Sequence, residues 1–120
     1  MTVELVKEYR FEAAHSLPRV RPGHRCARVH GHSYRFEVHL AGEVDEETGW
    51  LIDFYDIDEA VQPVLAQLDH FYLNEVEGLA NPTSEVIAKW IFDRLKQRLP
   101  PLVGVTLWET TDARCVYRGA

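Results

Sequence analysis

Two kinds of hydrophobic spacing divide the chain. Over its first stretch Val3, Leu5, Tyr9, Phe11, Ala13 and His15 share one parity, and further on Tyr34, Phe36, Val38 and Leu40 share another. Period two belongs to a strand with one face buried, so strands are predicted over roughly Val3 to His15 and His32 to Gly42. The Pro/Gly/Arg segment between them, Leu17 to Arg28, is long for a hairpin connection, which marks it as functional. Asp45 to Gly49 reads as a turn and Trp50 to Asp53 as a short extended piece. The spacing then becomes helical: Ile57, Ala60, Val61, Val64, Leu65 and Leu68, behind acidic Asp56, Asp58 and Glu59. Pro63 lies inside that pattern, so this helix either begins late or bends there. A second helix opens after Asn81-Pro82 with Thr83 as its cap, carries Ile87, Trp90, Ile91, Leu95 and Leu99 on one face, and stops at Pro100-Pro101. Val103, Val105 and Leu107 alternate up to Glu109, and Cys115 to Arg118 makes a fourth strand. The order ββααββ predicts a single α+β domain over residues 1–120, an antiparallel four-stranded sheet with two helices on one face. The uncovered face and open edges of such a sheet favour a homo-oligomer.

Composition narrows the setting. With 46% hydrophobic residues in 120, the chain suffices for one real core. No apolar run reaches membrane-spanning length, and Met1-Thr2-Val3-Glu4 lacks a signal-peptide pattern, so a cytoplasmic protein without a membrane partner is expected. In that compartment Cys26 and Cys115 are thiols, too few for a disulfide framework. The net charge of −6 argues against nucleic acid as partner. Its distribution says more: Ala13 to Phe36 holds no acidic residue, yet holds Arg19, Arg21, Arg25, Arg28 and Arg35 with His24. Arginine forks suit the oxygens of a small, strongly anionic ligand such as a phosphate. A solvated loop, or pairing with a neighbouring subunit, accounts for the same charges equally well.

Candidate chemistry clusters beside that segment. His30 and His32 are two apart and so share a side of their strand, and His15 ends the buried face of the first. With those faces together, three neutral imidazoles converge and leave a coordination position open, the pattern of catalytic zinc; any one of them alone reads as an ordinary polar strand end. Cys26, four residues before His30 and among arginines, suits a reactive thiolate, a fourth ligand or an inert loop residue. Asp69-His70 directly follows the first helix; an aspartate can orient an imidazole for proton transfer, although adjacent side chains ordinarily diverge. Glu109 ends an apolar strand, where a carboxylate needs donors, and the N–H and amino edge of a heterocycle supplies two.

In ordered motifs nearly the whole chain resembles the 6-pyruvoyltetrahydropterin synthase/queuosine-pathway family, most closely its bacterial 6-carboxytetrahydropterin synthase branch. The motifs are Phe11-Glu12-Ala13-Ala14-His15, Cys26 through His32 as Cys-x-x-x-His-Gly-His, Gly49 to Phe54, Leu68-Asp69-His70, Leu73-Asn74, Asn81 to Glu85, Trp108-Glu109-Thr110 and Cys115 to Gly119. The resemblance implies a tunnelling fold, with three sheets joined into a barrel and two trimers stacked into a homohexamer. It implies a Zn2+ cofactor on His15, His30 and His32, catalytic roles for Cys26, Asp69 and His70, and substrate binding by Glu109 and Thr83. The site would lie between subunits, so Cys26 and His70 could come from different chains. The implied activity is that of a carbon–carbon lyase: 7,8-dihydroneopterin triphosphate and water give 6-carboxy-5,6,7,8-tetrahydropterin, acetaldehyde and triphosphate, in queuosine biosynthesis. The short spacing from Cys26 to His30 favours the carboxy-forming branch, while Phe71 stands where many relatives carry another histidine. The pyruvoyl-forming lyase and a non-catalytic zinc- or pterin-binding oligomer are the alternatives.

Overall fold

A computed structural model describes residues 1–120. Two long strands, β1 (Thr2–His15) and β2 (His30–Glu43), form an antiparallel hairpin in unbroken register from Thr2↔Glu43 to His15↔His30. Helix α1 (Phe54–Leu68) follows, then a two-residue strand β3 (Phe71–Tyr72) and a 3₁₀ turn at Leu73–Glu75. Helix α2 (Ser84–Lys96) leads into β4 (Leu102–Thr110) and β5 (Ala113–Tyr117). The strands lie in the order β3-β1-β2-β4-β5.

The sheet therefore has five strands and is mixed; four antiparallel strands are what the sequence predicts. The addition is β3, which pairs parallel to β1 through Ala13↔Phe71 and Ala14↔Tyr72. Two residues are too few to show an alternation, so nothing local announces this strand. Strand β2 begins at His30, which puts both His30 and His32 inside it. Trp50 to Asp53 is a series of bends and not a strand. No helix is long and apolar enough to cross a membrane.

Helix α1 starts earlier than predicted because Asp53 caps it, its carboxylate accepting from the Tyr55 N–H at 3.0 Å. It runs unbroken through Pro63. Proline there removes the N–H that the Glu59 carbonyl would accept from, and the Arg98 guanidinium supplies a substitute donor at 3.3 Å. Both helices cover the same face of the sheet. Phe11 and Ala13 of β1, Tyr34, Phe36, Val38 and Leu40 of β2, and Val105 and Leu107 of β4 are buried there against Ile57, Val61, Ile87 and Ile91. The Thr83 hydroxyl oxygen accepts from Val86 N–H at 3.2 Å, as expected of the cap of α2. Its position fixes the turn at Pro82, which reaches the functional site.

Candidate metal centre and active site

The hairpin register brings the three histidines to one point. His15 pairs directly with His30, and His32 lies across from Ala13, so all three imidazoles face the covered side of the sheet. Their ligand nitrogens all lie within 4.8 Å of one another. His15 is fully buried, an expensive place for an imidazole unless its polar atoms are used. Its Nδ1–H donates to the Pro82 carbonyl at 2.9 Å, and the His30 Nδ1–H donates to the Arg28 carbonyl at 2.8 Å. A carbonyl can only accept, so in both rings Nδ1 holds the proton and Nε2 keeps its lone pair. The Nε2 atoms of His15 and His32 are buried and have no hydrogen-bond partner. Burial also pushes both of these imidazoles below the ordinary histidine value, so they are neutral near pH 7. Neutral rings with buried, unpartnered Nε2 atoms aimed together fit a metal such as zinc.

Glu109 is nearer this centre than its place in the sequence suggests. The antiparallel pairing of β4 with β2 sets Arg35 against Trp108, so the following Glu109 comes beside Tyr34 at the histidine end. One carboxylate oxygen lies 3.4 Å from His15 Nε2 and 3.7 Å from His32 Nε2. The Tyr34 hydroxyl, 3.2 Å from His15 Nδ1, completes the buried shell, and burial holds its phenol well above the ordinary tyrosine range.

Cys26 opens on a cleft of about 540 Å³ that it shares with His30, His32, Glu109, Arg25 and Arg28. Two of the five arginines singled out in the sequence thus face the site. Arg19 and Arg21 are exposed, and Arg35 is spoken for elsewhere: it lies on the opposite face of the sheet, stacked on Trp108 at 3.7 Å and paired with Glu8 at 2.9 Å.

Asp69 and His70 meet, contrary to the expectation for adjacent side chains, with Nδ1 and Oδ2 3.1 Å apart. The cause is the backbone: His70 has φ of 64°, a left-handed conformation that costs a non-glycine residue about 1 kcal/mol or more. Glu12 holds it there, its carbonyl accepting from the His70 N–H at 2.6 Å and its N–H donating to Asp69 Oδ1 at 2.9 Å. The Glu12 N–H, and after it His70, keeps the Asp69 carboxyl below the ordinary range. His70 lines a second cleft, of about 490 Å³, with Glu12, Ser33 and Tyr72; of the histidine centre only His32 reaches it. A single chain thus does not bring Cys26 and His70 into one cleft.

Four contributors carry no sequence signal of their role: the Pro82 carbonyl, the Tyr34 hydroxyl, Tyr72 and Asn74. Asn74 stands in a motif of the resemblance, Leu73-Asn74, but nothing in its local sequence marks the structural part it plays.

An α+β sheet whose long hairpin presents three convergent imidazoles, with a thiol and a carboxylate in the adjoining cleft, has the groups of an enzyme active site, and the imidazoles could hold a metal ion. The chain belongs to the 6-pyruvoyl tetrahydropterin synthase family, whose model matches residues 4–120. A 6-carboxy-5,6,7,8-tetrahydropterin synthase of Synechocystis is 40% identical, the match covering 94% of this chain and 91% of that one. The enzyme of the same name from Bacillus subtilis is 35% identical over 96% of this chain and 84% of its own. Among solved structures, the 6-pyruvoyl tetrahydropterin synthase of Caenorhabditis elegans superposes with a TM-score of 0.91, covering 100% of this chain and 97% of that one at 28% identity.

Proposed function

We infer that the protein is a zinc-dependent carbon–carbon lyase, a 6-carboxy-5,6,7,8-tetrahydropterin synthase of queuosine biosynthesis. It takes 7,8-dihydroneopterin triphosphate and water to 6-carboxy-5,6,7,8-tetrahydropterin, acetaldehyde and triphosphate. The observation that carries this reading is the pair of buried, unpartnered Nε2 atoms of His15 and His32 beside the Cys26 cleft. Identity to the two carboxy-forming relatives supports the choice of reaction.

His15, His30 and His32 hold the ion through Nε2. Bound there, zinc would supply Lewis acidity, making the side-chain hydroxyls of the substrate more acidic. The Pro82 and Arg28 carbonyls keep the rings of His15 and His30 in the tautomer that this requires. Cys26 moves a proton at the carbon being rearranged, and the Asp69–His70 pair is the second acid/base group, with Asp69 orienting the imidazole. Glu109 accepts from the ring N–H and 2-amino group of the pterin. Thr83 serves as a substrate donor, because a hydroxyl whose oxygen accepts from Val86 keeps its own proton to give. Arg25 and Arg28 line the Cys26 cleft and receive the triphosphate.

Since Cys26 and His70 open on different clefts, the working enzyme is an oligomer in which a neighbour supplies one of them, with a homohexamer of two stacked trimers as its form. The edge of β5 and most of that of β1 lack strand partners, which supports closure of the sheet by other subunits. The enzyme works in the cytoplasm on a small molecule, without nucleic acid or membrane.

Product analysis tests the reaction. Acetaldehyde and a 6-carboxyl group are expected from 7,8-dihydroneopterin triphosphate. A pterin that keeps a three-carbon side chain would instead establish the pyruvoyl-forming reaction, the second reading, which the fold of the C. elegans enzyme supports. No turnover, in a protein that unfolds when metal is removed, would mean a binding module.

A further inference from the structure

One carboxamide joins the strand that ends in His15 to the loop that carries Cys26. Asn74 lies in the 3₁₀ turn after β3. Its Oδ1 accepts from the Ser16 N–H at 2.9 Å, and its Nδ2 donates to the Ser16 carbonyl at 2.8 Å. The side chain thus engages both backbone polar groups of one residue, as a neighbouring strand would, just where the β1–β3 pairing has ended at Ala14↔Tyr72. The Tyr72 hydroxyl adds a contact to Ser16 Oγ at 2.8 Å, so three bonds hold Ser16. On one side of Ser16 is His15, whose Nε2 is unpartnered and buried. On the other is Leu17, whose N–H donates to the Cys26 carbonyl at 2.8 Å. Residues adjoining a fixed point about 3.8 Å away along the chain have little freedom to move independently of it.

We propose that Asn74 is a positioning residue that fixes the separation between the three-histidine centre and the Cys26 thiol. It touches neither group and acts through the backbone of Ser16. What it serves rests on the function proposed above; that it holds the two groups in place does not.

The test is made in a Cys115→Ser background, where Cys26 is the sole thiol. Asn74→Ala lowers zinc affinity about tenfold in chelator competition, the loss usual for residues that orient metal ligands. Iodoacetamide alkylation of Cys26 in the metal-free protein accelerates about threefold or more, as the loosened loop opens more often. Turnover falls through kcat, with KM for the pterin little changed. Asn74→Asp keeps the acceptor for the Ser16 N–H but sets a carboxylate against the Ser16 carbonyl, and reproduces part of each effect. A folded Asn74→Ala protein with parental zinc affinity and alkylation rate overturns the proposal, even if its melting temperature drops. Should that variant fail to fold, the same parental values in Asn74→Asp overturn it. A parent chain that bound no zinc would remove the proposed function, and the alkylation comparison would still decide the role of Asn74.

Discussion

His15 and His39 sit on the same hairpin, far apart along it and on opposite faces, and their surroundings differ in kind. At the far half, His39 has partners for both ring nitrogens: Glu4 on Nδ1 at 3.2 Å and Thr106 on Nε2 at 3.0 Å, with Glu37 at 3.4 Å. At the site end His15 is more deeply buried, has its Nδ1 bonded to Pro82, and leaves Nε2 with no hydrogen bond. A partly buried imidazole with both nitrogens occupied is a structural joint among polar side chains. A buried one with a single orphaned nitrogen is expensive unless something else binds it. The number of ring nitrogens left over, more than the presence of a histidine, separates the two regions.

The sharpest difference between them is expected at Cys26. Cys26→Ala should keep zinc and bind a non-reactive pterin while turnover falls by on the order of a thousandfold, the range for loss of a proton-transfer group. Near-normal turnover would remove the thiol from the mechanism. Next come His30→Ala and His32→Ala. Each should weaken zinc binding by about a hundredfold or more, a share of the total binding energy set by the number of ligands, with the fold retained. Metal analysis showing full occupancy in both would sink the three-histidine centre and erase the contrast with His39.

Glu109→Gln is expected to weaken affinity for a non-reactive pterin about thirtyfold, since losing a bidentate charge-assisted contact costs roughly 2 kcal/mol. Zinc content should not change. The closeness of Glu109 to two of the Nε2 atoms makes that last measurement decisive: a fall in zinc affinity would make the carboxylate a partner of the ion instead of the ring.

Acid should act on the site end of the metal-free protein. Burial lowers the folded-state values of His15 and His32 below the ordinary 6.5, so the unfolded chain binds protons first. Stability is therefore full above that pH and is lost as pH falls through the folded-state values. A melting temperature that is flat from pH 8 to 6.5 and declines below is expected; a rise on acidification would contradict it. The smallest effect belongs to His39→Ala, which should leave zinc affinity unaltered and cost about 1 kcal/mol, as removal of partly buried polar contacts does. Any change in metal binding there would break the comparison.

How much of this was legible beforehand follows from the range of each interaction. Alternation and helical spacing are local, so β1, β2, α2 and β4 could be read from single segments, as could the cap at Thr83. The parity of His30 and His32, together with the hairpin that a pair of alternating segments implies, was enough to bring His15 into the same centre. Strand β3 could not be read, because its two residues form a strand only in the presence of Ala13 and Ala14. The contact between Asp69 and His70 could not be read either: it depends on a left-handed φ that Glu12, 57 residues away from Asp69, holds in place.

The sequence by itself determined the face on which each side chain falls, because that is set by the two-residue repeat of a strand and the pitch of a helix. Only the tertiary structure decided depth and partnership. Phe11 and Leu5 share a face of β1, yet Phe11 is sealed and Leu5 is only partly covered. The tautomer of His15 is set by a carbonyl 67 residues away, the nearness of Glu109 to the histidines by the β2–β4 register, and the anchoring of Ser16 by Asn74. Each of these is a contact between segments remote in the chain. The energy of such a contact exists only once folding has brought both partners together, so neither segment alone carries a mark of it.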